Sequence, residues 1–150
     1  MANKGFQLDK RKVAVLKALQ GAMVVVANQS ENHFKKSFRD GGFTDTTLRP
    51  WTPRKRPSRA DKNARGRSRA ILVQSGALRR SIVKTRLNGF KYKITSDLPY
   101  SAIHNEGLPG LAWGKHTFKM PKRQFIGVSR VLRDKHIKTF NKFVIKALTQ

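Results

Sequence analysis

The segment Val83-Lys84-Thr85-Arg86-Leu87-Asn88-Gly89-Phe90-Lys91-Tyr92-Lys93-Ile94 decides the fold. It sets Asn88-Gly89, a dipeptide favoured in two-residue hairpin turns, between two runs of β-branched and aromatic residues, and so predicts a pair of antiparallel strands. A two-residue turn at that dipeptide places Leu87 opposite Phe90, Thr85 opposite Tyr92 and Val83 opposite Ile94 on one face. Arg86 then meets Lys91, and Lys84 meets Lys93, on the other. The first face is expected to be core. Like charges directly opposite one another weaken a sheet, so the second is expected to look onto water or an anionic partner.

Before the hairpin, residues 8–38 contain no proline and place Leu16, Leu19, Met23, Val26, Phe34 and Phe38 at three- and four-residue steps, which predicts one long amphipathic helix. Gly41-Gly42 should end it, with Lys10, Arg11, Lys12, Lys17, Lys35 and Lys36 on its wetter face. Residues 40–69, with Pro50, Pro53 and Pro57 and little apolar material beyond Phe43, Leu48 and Trp51, read as a long exposed loop. Beyond the hairpin, a Gly- and Pro-containing loop through Gly114 should lead to a strand around Gln124–Val128. Ser129 should then cap a final helix over 129–148, with Leu132, Phe140, Val144, Ala147 and Leu148 near helical spacing. The reading is one α+β domain over 1–150: a long N-terminal helix, a basic loop, a small antiparallel sheet core over 70–128 and a C-terminal helix.

Charge narrows the partners. The chain carries 33 Lys and Arg against 8 Asp and Glu, a formal net charge of +25. Residues 54–69 alone hold eight cations, Arg54, Lys55, Arg56, Arg59, Lys62, Arg65, Arg67 and Arg69, against the single anion Asp61. Repulsion of this size works against an isolated compact monomer and calls for nucleic acid or an acidic protein surface. The loop reads either as a solvated insertion or as a tracker of phosphates or acidic protein, with Trp51 anchoring its start. The hairpin cations Lys84, Arg86, Lys91 and Lys93 divide the same way, between a plain solvent face and a binding surface. With 38% hydrophobic residues the core is lean, so part of the stability is expected from assembly.

Catalysis finds little support. The absence of cysteine excludes a disulfide framework, a thiolate metal site and a cysteine nucleophile. The carboxylates and the four histidines are scattered, and His104-Asn105-Glu106 lacks further ligands at metal-binding spacing. His33, His116 and His136 read as surface or interface residues. Gly107, Gly110 and Gly114 do not have the spacing of a phosphate loop. No cofactor is expected. The longest apolar run, Ala22–Ala27, is far short of the roughly 20 residues of a membrane span, so no membrane is expected.

Three blocks resemble a known family. Residues 71–82, with Leu72, Ser75-Gly76, Leu78 and Ser81-Ile82, are similar to the "leucine, two residues, Ser/Thr-Gly-x-Leu, then Ser-Ile" block of tailed-phage virion morphogenesis proteins, the Mu G-like and HK97 gp10-like tail-completion group. Residues 100–107, from Tyr100 to Gly107, resemble its "Tyr-Ala, a few residues, Phe-Gly" block, and 123–129, with Arg123 and Phe125, its "Arg-x-Phe-Leu-Gly-x-Ser" block. Trp51-Thr52-Pro53 matches the tryptophan-proline that opens the family's loop. The chain departs at Ser101, where alanine is usual, and at Glu106, where an aromatic is common. Read as residues, Gly76 and Gly107 serve tight backbone, Leu78, Tyr100, Ile103 and Phe125 core, and Arg123 pairing or an interface.

The resemblance implies a non-enzymatic virion protein of the phage neck or tail, assembled in the host cytoplasm. It would form a homo-oligomeric ring, sixfold with twelvefold as the alternative, that completes the tail and joins it to the head. Its neighbours would be portal, adaptor or tail-tube and terminator proteins, with sequence-independent contact to packaged DNA. The competing reading is a basic nucleic-acid-binding or ribosome-associated protein, for which residues 54–69 speak and the folded blocks do not.

Overall fold

A computed structural model describes residues 4–54, 69–112 and 116–149. Its elements are α1 (Lys4–Asp40), β1 (Gly42–Thr44), β2 (Leu48–Pro50), α2 (Ala77–Arg80), β3 (Ile82–Asn88), β4 (Lys91–Ser96), α3 (Ser101–Glu106), β5 (Pro109–Ala112), β6 (His116–Lys119) and α4 (Arg130–Leu148). The class is α+β, as expected. Among the described residues the strands form three separate antiparallel pairs, β1–β2, β3–β4 and β5–β6.

The two long helices pack antiparallel. Gly21 brings α1 close to Phe143 of α4, Gln29 hydrogen-bonds Thr139, and Ser30 meets His136 nearer the other end. Gly41 ends α1 in the left-handed region (φ +66), as a helix-stopping glycine should. Ser129 caps α4, its hydroxyl accepting from Leu132 N at 3.2 Å. Asp45 adds a carboxylate that accepts from Arg130 N at 2.9 Å, placing negative charge at the helix's positive end.

The core lies where the C-terminal half of α1 meets the segments after it: Phe34, Phe38, Phe43, Trp51, Leu78, Ile82, Phe125 and Leu132. Leu16, expected on the buried face, is exposed instead, as are Val13 and Val24, because α4 covers only part of the N-terminal half. By length and composition Asp9–Asp40 would pass for a membrane span, although its longest unbroken apolar run is short. Phe34 and Phe38 nevertheless make its C-terminal part a core helix.

The hairpin forms, but with a different register. Lys84 pairs with Ile94, Thr85 with Lys93 and Arg86 with Tyr92, and a bulge intervenes before Asn88 pairs with Lys91. The cause is the Asn88 side chain, which accepts from Phe90 N at 2.9 Å and moves the turn to Gly89-Phe90. A one-residue slip exchanges the faces of β3. Ile82, Tyr92 and Ile94 therefore face inward, while Val83, Thr85, Leu87 and Phe90 are exposed. Lys84 turns over α1, donating to Asn28 and pairing with Glu31 at 3.1 Å. Ile82→Asp should accordingly prevent folding, because it buries an unpaired charge, whereas Val83→Asp and Lys93→Glu should leave a cooperative thermal transition, read by circular dichroism.

Two other expectations are corrected. The loop expected from residue 40 begins with the β1–β2 hairpin, which carries Phe43 and Trp51 into the core. No strand forms over Gln124–Val128. The Asn105 side chain does a strand's work there, its Oδ1 accepting from Phe125 N at 2.9 Å and Ile126 N at 3.0 Å. Strands appear instead at β5–β6, where a loop was expected, with Gly110 letting the Phe118 ring lie across the pair.

Candidate interaction surface

The sequence blocks converge on one packed unit. Trp51 donates its indole N–H to Gln124 O at 2.7 Å, and Arg123 donates through Nε to Thr52 O at 3.0 Å. Arg123 N donates to His104 O at 2.8 Å, and Asn105 clasps Phe125 and Ile126 from the same helix. Phe125 is fully buried, 5.1 Å from Phe38 between ring centroids. Gly107 ends α3 at φ +74, and a Cβ there would lie 2.9 Å from Lys122 N, so glycine is required twice over. Gly76 is also left-handed (φ +76) and Leu78 is buried. Ser75 accepts from Ala77 N at 3.3 Å. Tyr100, expected in the core, is 39% exposed at the start of α3, because only one side of that short helix is covered.

The cations fall into distinct groups. Lys55, Arg56, Arg59, Lys62, Arg65 and Arg67 lie outside the described residues. Arg54 and Arg69 hold the base of that segment together: Arg54 donates to Arg69 O at 2.8 Å and Ala70 O at 3.0 Å, and Arg69 donates to Gln74 O at 3.0 Å. Lys84 is engaged by α1. Arg86, Lys91 and Lys93 are exposed on the hairpin and make no ion pair among the described residues.

One basic feature was not legible as a site. An open groove of about 600 Å³ between α1 and α4 is lined by Lys35, Lys36, Arg39, Arg79 and Lys135. The adjacent positions of Lys35, Lys36 and Arg39 on one turn of α1 were the available signal; Arg79 and Lys135 join them only through tertiary packing.

Most acidic side chains among the described residues are already committed. Asp9, Glu31, Asp40, Asp45, Glu106 and Asp134 each face a lysine or arginine of the same chain. Glu31 sits between Lys35 and Lys84, whose hydrogen bonds and charge hold its carboxyl below the ordinary range despite the opposing effect of burial. Most of these pairs are exposed and contribute little stability. Their consequence is electrostatic: six of the seven described carboxylates are already paired, Asp97 being the exception, while Arg86, Lys91 and Lys93 stay exposed in a chain whose cations far outnumber its acids.

Burial holds His33, His104 and His136 below the ordinary imidazole value of 6.5, with Arg123 adding to the effect at His104 and neighbouring cations at the other two. Each therefore takes up a proton more readily unfolded than folded. Their contribution to stability is full above the unfolded value and is lost as pH falls toward the depressed folded value. The thermal midpoint should be lower at about pH 5.5 than at about pH 7.5, and a His136→Gln variant should show a smaller difference.

The sequence that folds into this packed unit matches a family model. The model described as the phage virion morphogenesis family covers residues 11–141. The chain belongs to that family. It thus has a part in building phage particles, in a family whose members are typically structural. No curated protein and no solved structure matches the chain.

Proposed function

We propose that this virion morphogenesis protein is a structural subunit of the phage neck or tail end, and that its copies close into a ring that completes the tail and joins it to the head around the DNA path. The observation that carries the reading is the family match of a chain whose cations far outnumber its carboxylates, six of the seven described carboxylates being already paired within the fold. Exposed apolar residues support it: Val13, Leu16 and Val24 on α1, and Val131, Ile137, Ile145 and Leu148 on α4, offer surface for neighbouring subunits to bury. The open edges of three two-stranded pairs offer more.

In such a ring the cations face packaged DNA in the lumen or acidic surfaces of portal, adaptor, tail-tube or terminator proteins. Sixfold order would match the tail tube of the phages this family serves, and twelvefold order a portal. Reconstruction of the assembled particle tests the reading: a ring of this chain at the neck is expected, and one copy per virion or no density there would refute it. The exposed Arg86, Lys91 and Lys93 also suit a nucleic-acid-binding protein. Tight, salt-sensitive binding of arbitrary DNA by the lone chain, with no place in the particle, would favour that second reading.

A further inference from the structure

Arg123 presents a charge problem that the fold does not solve. Only 7% of the residue is exposed, yet it makes no ion pair among the described residues, Glu106 pairing with Lys122 instead. Nε donates to Thr52 O and Nη1 makes a long contact of 3.9 Å to the Met120 sulfur, while Nη2 has no partner among those residues. Nη2 is not itself buried, so the guanidinium is open to the space beside it, where an anion would offset the charge of an otherwise buried residue.

Beside Arg123 opens a cleft of about 270 Å³. Arg54 and His104 line it together with the apolar side chains of Leu72, Val73 and Met120. Arg54 adds a second positive charge close enough to oppose the ionised form of Arg123. The His104 Nδ1 atom is buried with no hydrogen-bond partner. Leu72 holds a left-handed backbone (φ +59) in the cleft wall, a conformation uncommon for residues other than glycine. The Arg123 guanidinium, an unsatisfied imidazole and an apolar wall thus meet in one small space.

We infer that this cleft receives the C-terminal residue of a partner polypeptide, its carboxylate on Arg123 and its apolar side chain against Leu72, Val73 and Met120. A terminal residue carries both groups on one Cα and suits a cleft of this volume. A guanidinium binds a carboxylate through two parallel N–H···O bonds, and a buried one gains most from doing so. A phosphate of duplex DNA is a poorer fit, because its flanking sugars would meet the apolar wall. The inference goes beyond the neck reading and stands or falls without it, since it concerns the isolated chain.

The test is nuclear magnetic resonance of the full chain, following the Arg123 Nε–H and His104 ring signals. The probes are N-acetyl-L-leucine, N-acetyl-L-leucinamide and inorganic phosphate. N-acetyl-L-leucine should produce saturable shifts, with affinity at least about tenfold above either of the others. Gln74→Trp, an exposed substitution at the cleft mouth, should abolish them, as should Arg123→Gln. If Arg123→Gln does not fold, Gln74→Trp alone carries the test. Equal binding of the amide would overturn the carboxylate's role, equal or tighter binding of phosphate would make this a phosphate site, and no saturable shift would remove the site.

Discussion

Reversing Arg56, Arg59, Arg65 and Arg67 to glutamate should leave the chain folded and stop heads from joining to tails. These four belong to a sixteen-residue run with eight cations, a density that repeated copies around a ring would make strongly self-repulsive without anions on the neighbouring surface. Arg54 and Arg69 are kept, because they donate to backbone carbonyls at the base of the segment and their loss would confound folding with binding. Replacing attraction by repulsion at such a contact costs several kcal/mol, so infectious titre should fall about a thousandfold, the change that roughly 4 kcal/mol produces. Thermal melting would check the fold, and electron microscopy of lysates would count free heads and free tails. Normal virions from this variant would reduce the segment to a solubilising insertion.

What could be read from sequence depended on whether the deciding interaction was local. The two long helices were legible from apolar spacing, from Gly41 and from Ser129, because caps and periodicity act within a few residues. The hairpin's existence was legible for the same reason, but not its register: the preference of Asn88-Gly89 for a two-residue turn lost to the hydrogen bond from Phe90 N to the Asn88 side chain. The segment around Gln124–Val128 misled differently. Its residues suit a strand, but the backbone N–H groups of Phe125 and Ile126 are satisfied by Asn105, some twenty residues earlier, in a stretch where nothing local announces such a role. Lys84 looked like a partner-facing cation because nothing in β3 announces Glu31 across from it. The pairings of Arg123 with Thr52 O and Trp51 with Gln124 O join residues over seventy positions apart, and no local rule reaches them.

Phe125→Ala should be the most damaging single change to the fold that leaves charge untouched. Phe125 is fully buried and its ring meets Phe38, which in turn lies edge-on to Trp51 at 5.4 Å. Removing it leaves a cavity bounded by α1, which cannot collapse inward because α1 is also fixed by β1, β3, β4 and α4. Such phenylalanine deletions cost about 3–5 kcal/mol, a large share of the roughly 5–15 kcal/mol that hold a typical domain. The loss should spread beyond the cavity, since Phe125 N and Ile126 N are held by Asn105, and the Trp51 indole depends on Gln124 O in the same segment. Denaturant titration should show the midpoint falling with little change in slope, and Phe125→Leu, which keeps most of the volume, should lose markedly less. If Phe125→Ala costs no more than an exposed substitution such as Val83→Ala, the packed unit formed by the family blocks does not anchor this fold.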